Sequence, residues 1–125
     1  MEKVLAASEA AAVIIKRIGK ADREHLLVLS LDTRQNLIGV DTASIGTLDA
    51  NLVHPRELFI LAIRRHAASV IVAHNHPSGE VEPSENDVEV TKRLVTAGKI
   101  LGIDLYDHII VGRKEYLSMR EKDLL

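Results

Sequence analysis

Apolar residues recur along this chain with two different periods, and the switches between them outline eight elements. "SEAAAVIIKRI" places Ala11, Ile14, Ile15 and Ile18 on one helical face, with Ser8 as the expected N-cap and Gly19 as the stop. "HLLVLSLD" and "NLIGVDTASIGTL" are rich in β-formers and are joined by the polar turn "DTRQN", which predicts an antiparallel pair. "HPRELFILAIRRHA" returns to the helical period. Pro55 suits its first turn, Leu58, Leu61 and Ile63 are expected inward, and Arg64, Arg65 and His66 crowd its C-terminal turn.

"ASVIVA" is a short, continuous apolar run, as expected for a central strand covered on both faces, and it leads directly into His74. From Ser84 the pattern is helical again, with Val88, Thr91, Leu94, Val95 and Leu101 on one side and Gly102 as the stop. "IDLYDHIIVG" and "EYLSM" then read as strands around the turn "GRK". The order α-β-β-α-β-α-β-β predicts an α/β fold, a mixed sheet flanked by helices. At 125 residues, a single domain over 1–125 is expected.

Composition narrows the chemistry. There is no cysteine, so disulfides, thiol nucleophiles and cysteine-based zinc sites are excluded, and any metal must be held by His and carboxylate. The net charge is −2, basic residues form only short patches, and aromatics make up 2% of the chain, so neither phosphate tracking nor base stacking is provided for. Strong DNA binding by this domain alone is not expected. No apolar run approaches the length of a membrane span and no signal-like leader opens the chain, so a soluble, cytoplasmic protein without membrane association is expected.

The segment "AHNHPSGEVEPSENDVEV" concentrates the candidate chemistry. In extended backbone, residues i and i+2 point the same way, so His74 and His76 can aim at one point while Asn75 faces away. Pro77, Ser78 and Gly79 turn the chain, and "PSEND" opens the next helix with Asp87 in its first turn. Two His, one carboxylate and an open position form the arrangement of a catalytic zinc rather than a closed structural one. Ser84 and Asp87 also fit a capping box, which spacing alone favours. The metal reading draws its weight from the conjunction of two histidines at a strand exit, a Gly/Pro turn, and a hydroxyl and a carboxylate at a helix start.

His74-x-His76 followed by Ser84 and Asp87 matches the H-x-H-x(7)-S-x(2)-D signature of the JAMM (MPN+) zinc metallopeptidases. "AHNHPSGEVEPSENDVEVTKRL" resembles the RadC branch of that group. The likeness extends through "GTLDANLVHPRELF", "AGKILGIDLYDHIIVG" and "YLSMRE", covering most of the chain. Asn75 departs from the wider pattern, where deubiquitinating members usually carry Ser or Thr. RadC proteins also generally carry an N-terminal helix-hairpin-helix region, which is expected to be absent here. Both differences bear on the substrate rather than on the metal.

The resemblance implies a JAMM/MPN-like fold of cytidine-deaminase-like architecture. It implies zinc (Zn2+) held by His74, His76 and Asp87, and Ser84 bonding the water or the tetrahedral intermediate. It also implies a catalytic Glu entering the first strand, the place occupied by Glu24. Read without it, Glu24 is an exposed carboxylate at a strand start. Glu9 and Glu57 lie in helices, where dipole or solvent roles account for them. His108 is either a partner of the metal ligands or a satisfied core histidine. His25, His54 and His66 sit at element ends.

The function expected is zinc-dependent hydrolysis of peptide or isopeptide bonds in a peptide or protein substrate. The alternative is a non-catalytic recruitment module of a DNA-repair-associated protein. Nucleobase deamination has a related layout, H-x-E…P-C-x-x-C, but the cysteines are missing and His76 stands where its Glu belongs.

Overall fold

The structure is a computed structural model and describes residues 6–46 and 53–125. The eight elements run α1 (Ala7–Ile18), β1 (His25–Leu31), β2 (Leu37–Ile45), α2 (Pro55–Arg64), β3 (Ser69–Asn75), α3 (Glu85–Leu101), β4 (Asp104–Val111) and β5 (Tyr116–Ser118). Their order is the one the hydrophobic pattern predicts. The end of the second predicted strand, residues 47–48, lies outside the described residues.

The strands form one sheet in the order β2-β1-β3-β4-β5. β1 pairs antiparallel with β2 and with β3, β3 pairs parallel with β4, and β5 closes the far edge antiparallel to β4. The mixed sheet thus places the "ASVIVA" strand at its centre. The parallel step needs a crossover, and α3 supplies it.

Period-two alternation distributes β1 between two cores. Leu26 and Val28 join Leu58, Phe59 and Ala62 of α2 and Val90 and Leu94 of α3 on one face of the sheet. Leu27, Leu29 and Leu31 join Ala10, Ala11, Ile14 and Ile18 of α1 on the other. Each fully buried Leu or Ile contributes about 1.5–3 kcal/mol relative to exposure. These two layers therefore hold the strands from both faces of the sheet.

Three details differ from the sequence expectation. Helix α1 begins at Ala7 with Ala6 as its N-cap and without a side-chain cap, so Ser8 lies inside the helix, exposed. Ala6 and Ala7 carry the helix start outward, and the Ala6 carbonyl accepts from Glu9 and Ala10 N–H. In α2 the buried arc is Leu58, Phe59 and Ala62, leaving Ile63 on the flank at 49% exposure. In α3 Leu101 is exposed, because Gly102 (φ 75°) turns the chain and Ile103 takes the core place.

Candidate metal centre

The site lies where the C-terminal end of β3 meets the N-terminus of α3. A strand followed by a crossover helix brings these two ends together, and the helix N-terminus favours an anion beside it. His74 is in the last turn of the strand ladder, facing the α2/α3 layer like Val70 and Val72. His76 follows it by two residues, with its backbone N–H bonded to the Val111 carbonyl at 2.9 Å. Asp87 comes from the first turn of α3.

The three side chains converge. His74 Nε2 lies 3.0 Å from His76 Nε2 and 3.0 Å from Asp87 Oδ1, and His76 Nε2 lies 3.2 Å from Asp87 Oδ2. His74, His76 and Asp87 form a group able to hold a metal ion. One donor atom from each residue lies within 4.8 Å of the others, and a tetrahedral ion with bonds near 2.0–2.1 Å would draw them to about 3.3 Å. His74 and Asp87 are buried, whereas the His76 side chain is 15% exposed, so the cluster opens to solvent on the His76 side.

The donor atoms are also in the right state. The Glu80 backbone carbonyl can only accept, and it lies 2.7 Å from His76 Nδ1. The proton of neutral His76 is therefore on Nδ1, and its Nε2 lone pair faces the cluster. Burial works to raise the Asp87 carboxyl, but hydrogen bonding with His74 and His76 and the Ser84 backbone outweighs it and holds Asp87 well below the usual carboxylate range. The hydrogen bond to Asp87 raises His76, against burial, with smaller help from the Glu80 carbonyl and the Glu24 charge. Positive charge is favoured at this point, as a cation site requires.

The capping box is present as well. Ser84 Oγ accepts the Asp87 N–H at 3.1 Å, and Asp87 Oδ2 accepts the Ser84 N–H at 2.7 Å. Oδ2 closes the helix end and also faces His76, while Oδ1 faces His74. The cap is what aims the ligand.

Glu24 sits immediately before β1, half-buried, and lines one shallow recess with Asp22, Arg23, Gly46 and Pro77, the residue after His76. Its backbone carbonyl accepts the Gly46 N–H at 2.8 Å. Glu57 lines a different cleft, with Leu26, Ile45 and Leu58, and Glu9 lies on exposed α1. Ser84 is exposed beside Asp87, with its hydroxyl oxygen occupied as an acceptor and its proton free to point elsewhere.

Several contributors carry no motif of their own. Asn75 faces the α1 side and binds the segment around Glu24. Thr91, one helical turn after Asp87, reaches His108, and His108 reaches His74. Burial pushes His108 down to about 3, so it is neutral near pH 7. The i, i+4 spacing of Asp87 and Thr91 is the one sequence signal of this arrangement.

Comparison with known proteins agrees with the geometry. The chain matches the RadC-like JAB domain over residues 4–124. It is 50% identical over 113 residues to a UPF0758 protein of Desulforamulus reducens, covering 90% of this chain and 50% of that protein. A UPF0758 protein of Rubrobacter xylanophilus is 55% identical over 109 residues, covering 87% and 48%. One of Methanococcoides burtonii is 46% identical over 120 residues, covering 96% and 52%. The chain spans about half the length of the curated relatives it matches.

Proposed function

The chain belongs to the RadC-like JAB domain family, and on that premise we propose that it is a zinc-dependent hydrolase of peptide or isopeptide bonds. The observation that carries the reading is the convergence of two imidazole nitrogens and one carboxylate on a single point that is open on one side. His74, His76 and Asp87 would hold the ion. When bound, zinc supplies Lewis acidity, easing the deprotonation of water near neutral pH and polarising an amide carbonyl.

The remaining work falls to this chain's own side chains. Glu24, whose charge is felt at His76, takes the proton of the attacking water and delivers it to the leaving amine. The Ser84 hydroxyl donates to the oxygen that gains charge as the carbonyl is attacked. Asp87 is a poor candidate for that base, because its hydrogen bonds lower its affinity for a proton and its Oδ2 is committed to the Ser84 amide. The partly exposed His76 side chain marks the side from which a substrate would approach.

The test is a cleavage screen of peptide and isopeptide libraries with the zinc-loaded chain. Cleavage lost on chelation and restored by zinc supports hydrolysis. A zinc-loaded chain that cleaves neither library, nor an extended protein substrate, argues for a non-catalytic module.

A further inference from the structure

We propose that Thr91 and His108 are positioning residues for the metal centre, fixing His74 in the tautomer whose Nε2 lone pair faces His76 and Asp87. The proposal rests on the metal-centre reading above and deepens it.

The argument begins at a group with no choice. The Asp87 backbone carbonyl has no proton to give, so its 2.7 Å contact with Thr91 Oγ1 requires the hydroxyl to donate. A hydroxyl has one proton, and its third neighbour, Met119 Sδ at 3.4 Å, is a longer and weaker acceptor than the carbonyl. The 2.6 Å contact between Thr91 Oγ1 and His108 Nδ1 must then be made by a proton on His108 Nδ1. A neutral imidazole carries only one N–H, so His108 Nε2 is an acceptor. The 2.8 Å contact between His108 Nε2 and His74 Nδ1 therefore needs a proton on His74 Nδ1. What is left on His74 Nε2 is a lone pair, directed at the point shared with His76 and Asp87.

In the absence of an ion the reversed chain gains a hydrogen bond from His74 Nε2–H to Asp87 Oδ1, 3.0 Å away, but with an ion bound it is costly. If Thr91 donated to His108, every link would turn over, and His74 would present an N–H where a ligand lone pair is needed. The Thr91 oxygen and the Asp87 carbonyl would then face each other at 2.7 Å with no proton between them. His74, Thr91 and His108 are at most 1% exposed, so water cannot repair the mismatch. The relay starts and ends on one residue. Asp87 offers its main-chain carbonyl at one end, and at the other its carboxylate faces the His74 Nε2 lone pair across the point where an ion would sit.

His108 is thus neither a surface group nor a plain core histidine. It sits on β4 opposite Val72, two residues before His74 on the neighbouring strand, facing α3. That register lets one imidazole span from helix to ligand. Partners of this kind orient metal-bound imidazoles, and losing one typically weakens metal binding by about 10–100-fold.

The test uses the full zinc-loaded chain and two readouts that need no turnover. Long-range 1H–15N spectra of the imidazoles report each tautomer, and competition with a chelator reports zinc affinity. Wild type is expected to show His108 and His74 both protonated at Nδ1. Thr91→Val keeps the shape but removes the hydroxyl, so zinc affinity should fall by about 10-fold or more with changed His108 resonances. Thr91→Ser should restore both, which a purely structural role of the threonine methyl would not do. A wild-type spectrum with His108 protonated at Nε2 would overturn the proposal without recourse to any variant. So would Thr91→Val with unchanged affinity and unchanged tautomers. Either result leaves the hydrolase reading standing, whereas wild-type chain that takes up no zinc overturns both.

Discussion

Asn75 Oδ1 accepts the backbone N–H of His25 at 2.7 Å, so the residue between the two candidate ligand histidines holds the strand that Glu24 enters. Its amide donates to the carbonyls of Arg23 at 2.9 Å and Ala21 at 3.4 Å. One side chain thereby binds both flanks of Glu24, and the face of β3 opposite the candidate metal ligands holds the segment of the proposed general base. Asn75→Ala leaves these main-chain groups short of partners, at a cost of about 1–3 kcal/mol. Zinc content should stay near wild type while turnover falls, and hydrogen exchange at the His25 amide should accelerate. Unchanged exchange there would show that the segment is held by other means.

Base and ligand separate in a second pair of variants. Glu24→Gln keeps the size of the side chain but cannot take a proton, so turnover on any substrate found should drop by roughly 10²–10⁴-fold with zinc retained. Asp87→Asn keeps an oxygen for the helix cap but removes the anionic ligand, so the chain should fold normally and lose zinc readily. Full activity of zinc-loaded Glu24→Gln would move the base elsewhere, with Glu57 the next to examine.

The turn after His76 is held by a close approach of two backbones. A Cβ on Gly112 would meet the Gly79 carbonyl oxygen at 2.5 Å, and that turn leads directly to the Glu80 carbonyl that orients His76. Gly112→Ala should therefore cost about 1–3 kcal/mol of stability and weaken zinc binding together, as read by thermal unfolding and chelator competition. Loss of stability with zinc affinity intact would mean that the turn relaxes without moving Glu80.

Away from the site, Arg65 clamps β2 to the end of α2 through two bonds to Asp41, at 2.6 and 3.0 Å. The hydrogen bond from Arg65 holds the Asp41 carboxyl below its ordinary range. A depressed carboxylate stabilises the fold above its unfolded pKa, and that contribution is lost as pH falls through the lower, folded value. Arg65→Leu should thus cost about 1 kcal/mol at pH 7, the pair being partly exposed. The gap to wild type should narrow in urea titrations as pH falls below about 4. A gap that stays constant would assign the loss to packing.

With net charge −2 and few aromatics, the chain should bind duplex DNA only weakly and non-specifically at physiological salt. Fluorescence anisotropy showing tight, sequence-dependent binding would favour a recruitment role in DNA repair.

Element order was legible because each element has its own hydrophobic period and a marked end, such as Pro55 or Gly102. Boundaries and facing were less so. Ile63 and Leu101 look as apolar as their buried neighbours, and only the packing of α2 and α3 leaves them outside. At the site, the i, i+2 rule predicted that His74 and His76 converge, and Asp87 proved to be cap and candidate ligand at once. Glu24 was singled out through family resemblance alone. The links made by Asn75 and His108 span 50 and 34 residues of sequence and exist only through strand register, which no local pattern encodes.

Equilibrium dialysis of the full chain against zinc, with His76→Ala and Asp87→Ala beside wild type, decides most directly whether His74, His76 and Asp87 form one metal site. One tightly held zinc per wild-type chain is expected. Because losing an outer partner alone costs about 10–100-fold, each ligand variant should lose at least that much affinity while its unfolding transition shows the fold retained. Undiminished zinc in both variants would contradict the assignment.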